Sequence, residues 1–344
     1  MQGEGRRQMT IRMAFTGTGH ISRVHARAAQ AQAGLELVAI VNHRADSMAD
    51  YAAQFQIARQ YPTIDALLAD GGVDAISVNT PNYLHAPQTI AALNAGVHVM
   101  VEKPMAMNVG EALAMQAASQ ASGAKLMVAH CWRFDEEANW LRAQVESGRL
   151  GDILRTKGHG VHVNWGPGGW FTDARFAGGG ALADMGIHAI DVARYLLGDP
   201  QPTSVYARLS TDYTQGDVDD SGTLWINWAN GASSIIESGW WWPHADGPEA
   251  STQLYGKRGW GQLFPTWLEI PDRQAETVST IDPGFPPVRE DHCPQIMYDR
   301  QMARFIDCIR ADQTPVPGAA EGLVNMQIVD AALDSSRSGQ VVQL

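Results

Sequence analysis

The sequence predicts an α/β first half, a doubly wound parallel sheet, followed by an α+β second half with an antiparallel sheet. Three observations carry this. Over residues 11–129 short apolar runs alternate with helical stretches, the pattern of parallel strands covered on both faces by crossover helices. Gly17-Thr18-Gly19 sits between the first apolar run and the first helical stretch. From about residue 150 the runs lengthen, alternate polar with apolar, and are separated by turn signals such as Ala229-Asn230-Gly231.

Residues 11–16 (IRMAFT) read as the first strand, and the stretch from Gly17 to Gly34 holds the first helix. Residues 35–41 (LELVAIV) are nearly continuous in apolar side chains, as a strand buried on both faces must be. An alanine-rich helix follows, then a strand at 74–79, a helix at 86–95, a strand at 97–101, a helix at 108–122 and a strand at 125–129. Right-handed crossovers make this alternation a doubly wound sheet. Beyond it, 153–163, 203–213, 221–229 and 232–240 read as strands, with a helix over 180–197 interrupting them. Residues 272–294 are proline-rich and read as a loop, and helices follow at 295–311 and 319–335. A chain of 344 residues has room for two domains, placed at 9–130 and 131–344.

Composition bounds the function. Hydrophobic residues at 45% and charged residues at 18% describe a folded globular chain. The net charge of −12 argues against a nucleic-acid partner, since phosphates require a basic surface. No apolar run approaches the roughly 18 residues that span a bilayer, so no membrane partner is expected. The opening MQGEGRRQ has no apolar leader core and reads as a short flexible tail. Cys131, Cys293 and Cys308 show no paired spacing, which predicts reduced thiols in a cytoplasm, not a disulfide scaffold or a zinc site. The chain has only four lysines against twenty-one arginines, so a lysine in a special setting stands out.

Gly17-Thr18-Gly19-His20-Ile21-Ser22 supplies what a dinucleotide turn needs: a glycine for the tight bend, a second for close approach of the pyrophosphate, and a helix N-terminus facing the phosphates. Ser22 fills the slot where glycine or alanine is usual; a merely tight turn is the competing reading. The ribose-reading position about 20 residues on falls at Asn42-His43-Arg44, where no carboxylate would repel a 2′-phosphate and Arg44 could bind it. That tilts the cofactor from NAD toward NADP; the competing reading of Arg44 is a solvated helix start. Thr80-Pro81-Asn82 lies past the third of these strands, where a cofactor would pass, and His85 follows as a packing or capping residue or a further cofactor contact.

Lys103 in Val101-Glu102-Lys103-Pro104 comes directly after a buried strand, at the edge where open α/β sheets bind ligands. Pro104 restricts the backbone of Lys103, and Glu102 could pair with its ammonium; a surface lysine is the competing reading. In Gly178-Gly179-Gly180…Asp184…His188…Asp191, Asp184 and His188 are four residues apart on one helical face, continued by Asp191 and Tyr195. A carboxylate one turn from an imidazole can orient it as a base. The alternatives are a solvated polar face or a metal pair, and no further ligand cluster supports a metal.

Together GTGHIS, TPNYLH, EKP, HCWRF at 130–134 and GGGALADMGIHAID resemble the Gfo/Idh/MocA oxidoreductases from Ile11 to the end of the chain. The resemblance implies a Rossmann-type dinucleotide domain and a C-terminal domain with a large open, mainly antiparallel sheet that joins subunits into a homodimer or homotetramer. It implies NAD(P) as cofactor and a carbohydrate or polyol as substrate. It assigns catalysis to Lys103, Asp184 and His188, and places Arg133 near nicotinamide and substrate. In oxidation His188 takes the hydroxyl proton, a role that a free imidazole near pKa 6.5 suits. Lys103 stabilises the charge that develops on oxygen, and Asp184 orients His188. His162, at the end of the 153–163 strand, and Trp170, in the glycine-rich loop before the helix, are the further substrate candidates; core or interface packing is the competing reading for the tryptophans. His292 lies in the late loop. Two other classes stay open: a glycoside hydrolase of the same superfamily that recycles its hydride on NAD, and a non-catalytic dinucleotide-binding regulator. The intact Lys103, Asp184 and His188 argue against the second.

Overall fold

The computed structural model describes residues 10–243, 248–272, 274–286 and 293–344. The terminal stretch read as a tail, and His292, lie outside the described residues. The chain divides into two compact units, one formed by residues up to Met105, Gly110–Ala129 and Gln295–Glu321, the other by Ala106–Val109, His130–Pro294 and Gly322–Leu344. The segment 295–321, read from the sequence with the second domain, thus packs in the first unit.

In the first unit, strands β1 (Ile11–Thr16), β2 (Leu35–Val41), β3 (Arg59–Tyr61), β4 (Ala75–Val78), β5 (His98–Glu102) and β6 (Leu126–Ala129) form one parallel sheet in the order β3-β2-β1-β4-β5-β6. The connecting helices are α1 (His20–Gln30), α2 (Ala45–Phe55), α3 (Ile64–Asp70), α4 (His85–Asn94) and α5 (Val109–Ser122). Consecutive residues such as Met13, Ala14 and Phe15 in β1 and Ala39 and Ile40 in β2 are fully buried, which is why these strands are mostly apolar runs. β1 pairs with both β2 and β4, so strand order reverses there, and the loops after β1 and β4 lie at the switch point where such sheets bind ligands.

The second unit carries α6 (Glu136–Glu146), β7 (Ile153–Val161), α7 (Ala174–Ala177), α8 (Ile187–Leu196) and strands β8 (Pro202–Ser210), β9 (Ser221–Trp228), β10 (Ser233–Gly239), β11 (Ala250–Gly256), β12 (Trp260–Leu263), β13 (Trp267–Asp272) and β14 (Thr277–Ile281). After α9 (Gln295–Arg310) and α10 (Ala319–Ser338), β15 (Val342–Gln343) pairs with β8. Among the described residues the sheet order is β14-β13-β12-β11-β7-β10-β9-β8-β15, antiparallel except for the β7–β10 pair. Helix α8 covers one face, touching β7, β10 and β11. On the other face Tyr206 stands opposite Trp225, and both are exposed. The sheet is therefore open on one side.

Two expectations need correction. Residues 180–197 are not one regular helix: Leu182–Gly186 form a π turn before α8. Just before it the backbones meet closely, since a Cβ on Gly180 would stand 1.7 Å from the carbonyl oxygen of Asp219, so only glycine fits there. The proline-rich stretch 272–294 is not all loop, because β14 lies within it. Its side chains are almost all exposed, so no apolar alternation marks it. No helix among the described residues is long and apolar enough to cross a membrane.

Candidate active site

In the first unit the glycine turn is built as the dinucleotide reading requires. Gly17 has φ +85°, and a Cβ there would stand 2.4 Å from Asn79 O, so only glycine fits. Gly19 differs: a Cβ on it would meet nothing within 4 Å among the described residues. Gly19 is also the N-cap of α1, and no side chain among the described residues caps that helix start. An open space beside unsatisfied helix N–H groups is a cradle for an anionic group, and it fits a dinucleotide pyrophosphate. Ser22, the departure from the usual small residue, is satisfied inside the protein. Its Oγ donates to Gly17 O at 2.8 Å and lies 2.9 Å from the Tyr51 hydroxyl, which donates to Ser22 O at 2.9 Å. Burial pushes the Tyr51 pKa up and keeps this donor protonated.

Asn42 ties the turn to the end of β2: its Nδ2 donates to Thr18 Oγ1 and its Oδ1 accepts from Arg44 N. His43 and Arg44 are exposed. His20 and Ile21 open α1, with His20 exposed and Ile21 partly so. After β4, Thr80 and Pro81 lead into a short turn from Asn82, which is buried. His85 is buried, with Nε2 2.8 Å from Thr80 O and Nδ1 2.8 Å from Pro104 O, so it links two loops. Burial holds its pKa below the usual imidazole range against the pull of those carbonyls.

Lys103 follows β5, as expected. The carboxylate of Glu102 accepts from His25 Nε2 at 2.6 Å and from the Lys103 backbone N–H at 3.0 Å. Burial would raise the Glu102 pKa, but His25, Lys103 and His85 outweigh it and hold the group below the usual carboxylate range. Glu102 is thus a buried anion that fixes the main chain of Lys103.

In the second unit Asp219 caps the glycine run, accepting from Gly180 N at 2.9 Å and Leu182 N at 2.8 Å. Burial raises the Asp219 pKa. One turn later the Asp184 carboxylate accepts from Trp240 Nε1 at 2.9 Å and lies 3.6 Å from His162 Nε2. His162 stacks on Trp165 with centroids 3.6 Å apart, and its Nδ1 is 3.5 Å from Glu249 Oε2. Glu249 in turn accepts from Val163 N at 2.9 Å and Trp165 Nε1 at 2.7 Å. His188, in the first turn of α8, is buried and stacks on Trp132 with centroids 4.9 Å apart. Trp170 is half-buried and stacks on Phe171, which packs against Trp240 and Val218.

Arg133 is committed inside the unit. It grips Asp191 through two 2.8 Å bonds and reaches Asp199 at 2.8 Å, leaving Nη1 without a hydrogen-bond partner among the described residues. Asn325 Nδ2 adds a 2.8 Å bond to Asp191. The polar stripe of α8 therefore continues into a buried ion pair, not a solvated face. Burial would raise the Asp191 pKa, but Arg133 and His130 with these hydrogen bonds hold it well below the usual range. A depressed carboxylate contributes stability that is complete above its unfolded value near 3.9 and is lost as pH falls toward the folded one. Asp191→Asn is expected to cost roughly 3–5 kcal/mol at neutral pH by leaving Arg133 uncompensated. It should also flatten the acid limb of stability; urea unfolding from pH 7 to 3 reads both effects.

Sequence reasoning missed Trp132, Glu249, Asp219 and His25. Each meets its partner only through the fold, as Glu249 meets Val163 from 86 positions away.

Two family models match the chain: the GFO_IDH_MocA oxidoreductase family, NAD-binding Rossmann fold, over residues 11–130, and the GFO/IDH/MocA C-terminal domain over 139–262. D-glucoside 3-dehydrogenase of Escherichia coli (strain K12) is 29% identical, covering 97% of this chain and 97% of its own. D-xylose 1-dehydrogenase (NADP(+)) 2 of Haloferax volcanii is 30% identical, covering 88% of this chain and 89% of its own. The solved structure of levoglucosan dehydrogenase in complex with NADH and levoglucosan shares the fold at a TM-score of 0.86, with 24% identity over 97% of this chain and 99% of that one.

Proposed function

The chain belongs to the Gfo/Idh/MocA oxidoreductase family, and from that membership we propose that it moves a hydride between NAD(P) and a hydroxyl or carbonyl carbon of a sugar, inositol or related polyol. The observation that carries this reading is the cluster in which Asp184 meets His162 and Trp240, with Glu249 and Trp165 behind His162. Carboxylates and imidazole bind hydroxyls, and flat indole faces pack against the C–H faces of a ring. When bound, the nicotinamide supplies the hydride acceptor or donor, chemistry no side chain provides. In oxidation His188 removes the hydroxyl proton, Lys103 stabilises the negative charge on that oxygen, and Asp184 with His162 holds the neighbouring hydroxyls. Reduction reverses these roles.

The test is a sugar panel deuterated at the carbinol carbons and offered with NAD and NADP. Deuterium should appear on the reduced cofactor, one per carbonyl formed. Aryl glycoside cleavage with no net reduced cofactor would instead mark the recycling hydrolase; the relatives named above are dehydrogenases, which supports the redox reading.

The exposed Arg44, with Asn42 in place of a carboxylate, supports NADP over NAD. Arg44→Ala is expected to raise the KM for NADP about tenfold while leaving that for NAD nearly unchanged, the signature of a lost 2′-phosphate contact. Equal effects on both cofactors would remove Arg44 from discrimination. The open sheet face around Tyr206 and Trp225 is proposed to be covered by a second copy of the chain in a dimer or tetramer. A single-chain mass by light scattering would contradict that assembly.

A further inference from the structure

Cys131 and Cys293 are 162 positions apart, and nothing in the sequence pairs them. In the second unit their Sγ atoms lie 3.8 Å apart. Cys131 is buried at the start of the short turn Cys131–Phe134, and Cys293 is partly exposed. Trp132 Nε1 donates to Cys293 Sγ at 3.1 Å. The same indole stacks on His188, with 22° between the ring planes. One buried aromatic thus touches a dithiol through its N–H and the imidazole through its face. Cys308 lies buried in α9 and serves as an internal control.

We propose that Cys131 and Cys293 are a redox modification site, a dithiol that a peroxide converts to a reversible disulfide and whose state reaches His188 through Trp132. The partly exposed Cys293, as thiolate, attacks the O–O bond of hydrogen peroxide. This gives a sulfenic acid on Cys293 and a hydroxide that takes up a proton to leave as water. Cys131 then attacks that sulfur, the S–S bond forms, and the sulfenic oxygen departs as a second water. Two thiols lose two electrons, and one peroxide becomes two waters. The Trp132 N–H steadies the Cys293 sulfur while charge is transferred. Bond formation draws the two sulfurs together, so Cys293 either leaves the Trp132 N–H or carries the indole with it, and either movement shifts the surface on which His188 stacks.

The experiment treats the intact protein with hydrogen peroxide, blocks remaining thiols, digests without reductant and maps the peptides by mass spectrometry. The expected product joins the peptides of Cys131 and Cys293, is released by dithiothreitol, is absent from Cys293→Ser and persists in Cys308→Ala. Turnover of the oxidised wild type should fall severalfold and return on reduction, while Cys293→Ser stays insensitive. Absence of the joined peptide, with Cys293 over-oxidised to sulfinic acid or still open to alkylation, would overturn the site. A joined peptide with unchanged turnover would overturn the link to His188. The peptide map needs no activity, so its outcome is separate from that of the proposed hydride transfer.

Discussion

Lys103→Met is expected to lower kcat by about a hundredfold or more while cofactor affinity stays nearly constant. Methionine keeps an unbranched apolar stem of nearly the same length and carries no ammonium. The structure explains why the loss should be local. The main chain at Lys103 is held by the carboxylate of Glu102, itself fixed by a 2.6 Å bond to His25, and these contacts do not use the Lys103 side chain. The glycine turn and the start of α1, where the dinucleotide phosphates are proposed to bind, keep their own geometry. Initial-rate kinetics with a cofactor fluorescence titration separate the two quantities. Wild-type turnover in the variant would remove Lys103 from the chemistry, and lost cofactor affinity would recast it as a binding residue.

His188→Asn is expected to lower kcat by roughly 10²–10⁴ in the oxidation direction, the range of a lost general base. The wild type should also lose kcat/KM on the acid side, where a base is protonated, and the variant should show no such limb. Asparagine preserves polarity and approximate size, so the stack on Trp132 is the contact most exposed to the change. A merely structural role would lower kcat at all pH values and leave the shape of the profile intact. That difference in shape decides between the two.

Much of the first sheet was legible because strands covered on both faces are mostly apolar, and β1, β2, β4, β5 and β6 are, with polar residues such as Arg12, Glu36 and His98 confined mainly to their ends or exposed positions. β3 is three residues long and too short to carry a period. Helix α6 was missed although its signal was present: Asp135 caps it through Glu137 N and Ala138 N, and two glutamates open its first turn. Strands β11 to β14 carry glycine, proline and half-exposed side chains that blur the alternation. The candidate residues on motifs, Lys103, Asp184 and His188, could be named from local spacing. Their surroundings could not. Asp191 reads as one more polar residue on a helix until Arg133, 58 positions away, is seen to bury it. The Cys131–Cys293 contact is hidden for the same reason: its partners converge only in the folded chain.

The most direct test of the account is a double-mutant cycle on kcat for oxidation, using Lys103→Met, His188→Asn and the double variant at saturating substrate and cofactor. If the ammonium and the imidazole serve one oxygen in one transition state, the double variant should be little slower than the slower single variant, as for residues that act as a unit. Losses that multiply in full would mean that the two groups act independently, and would contradict the shared role assigned to Lys103 and His188.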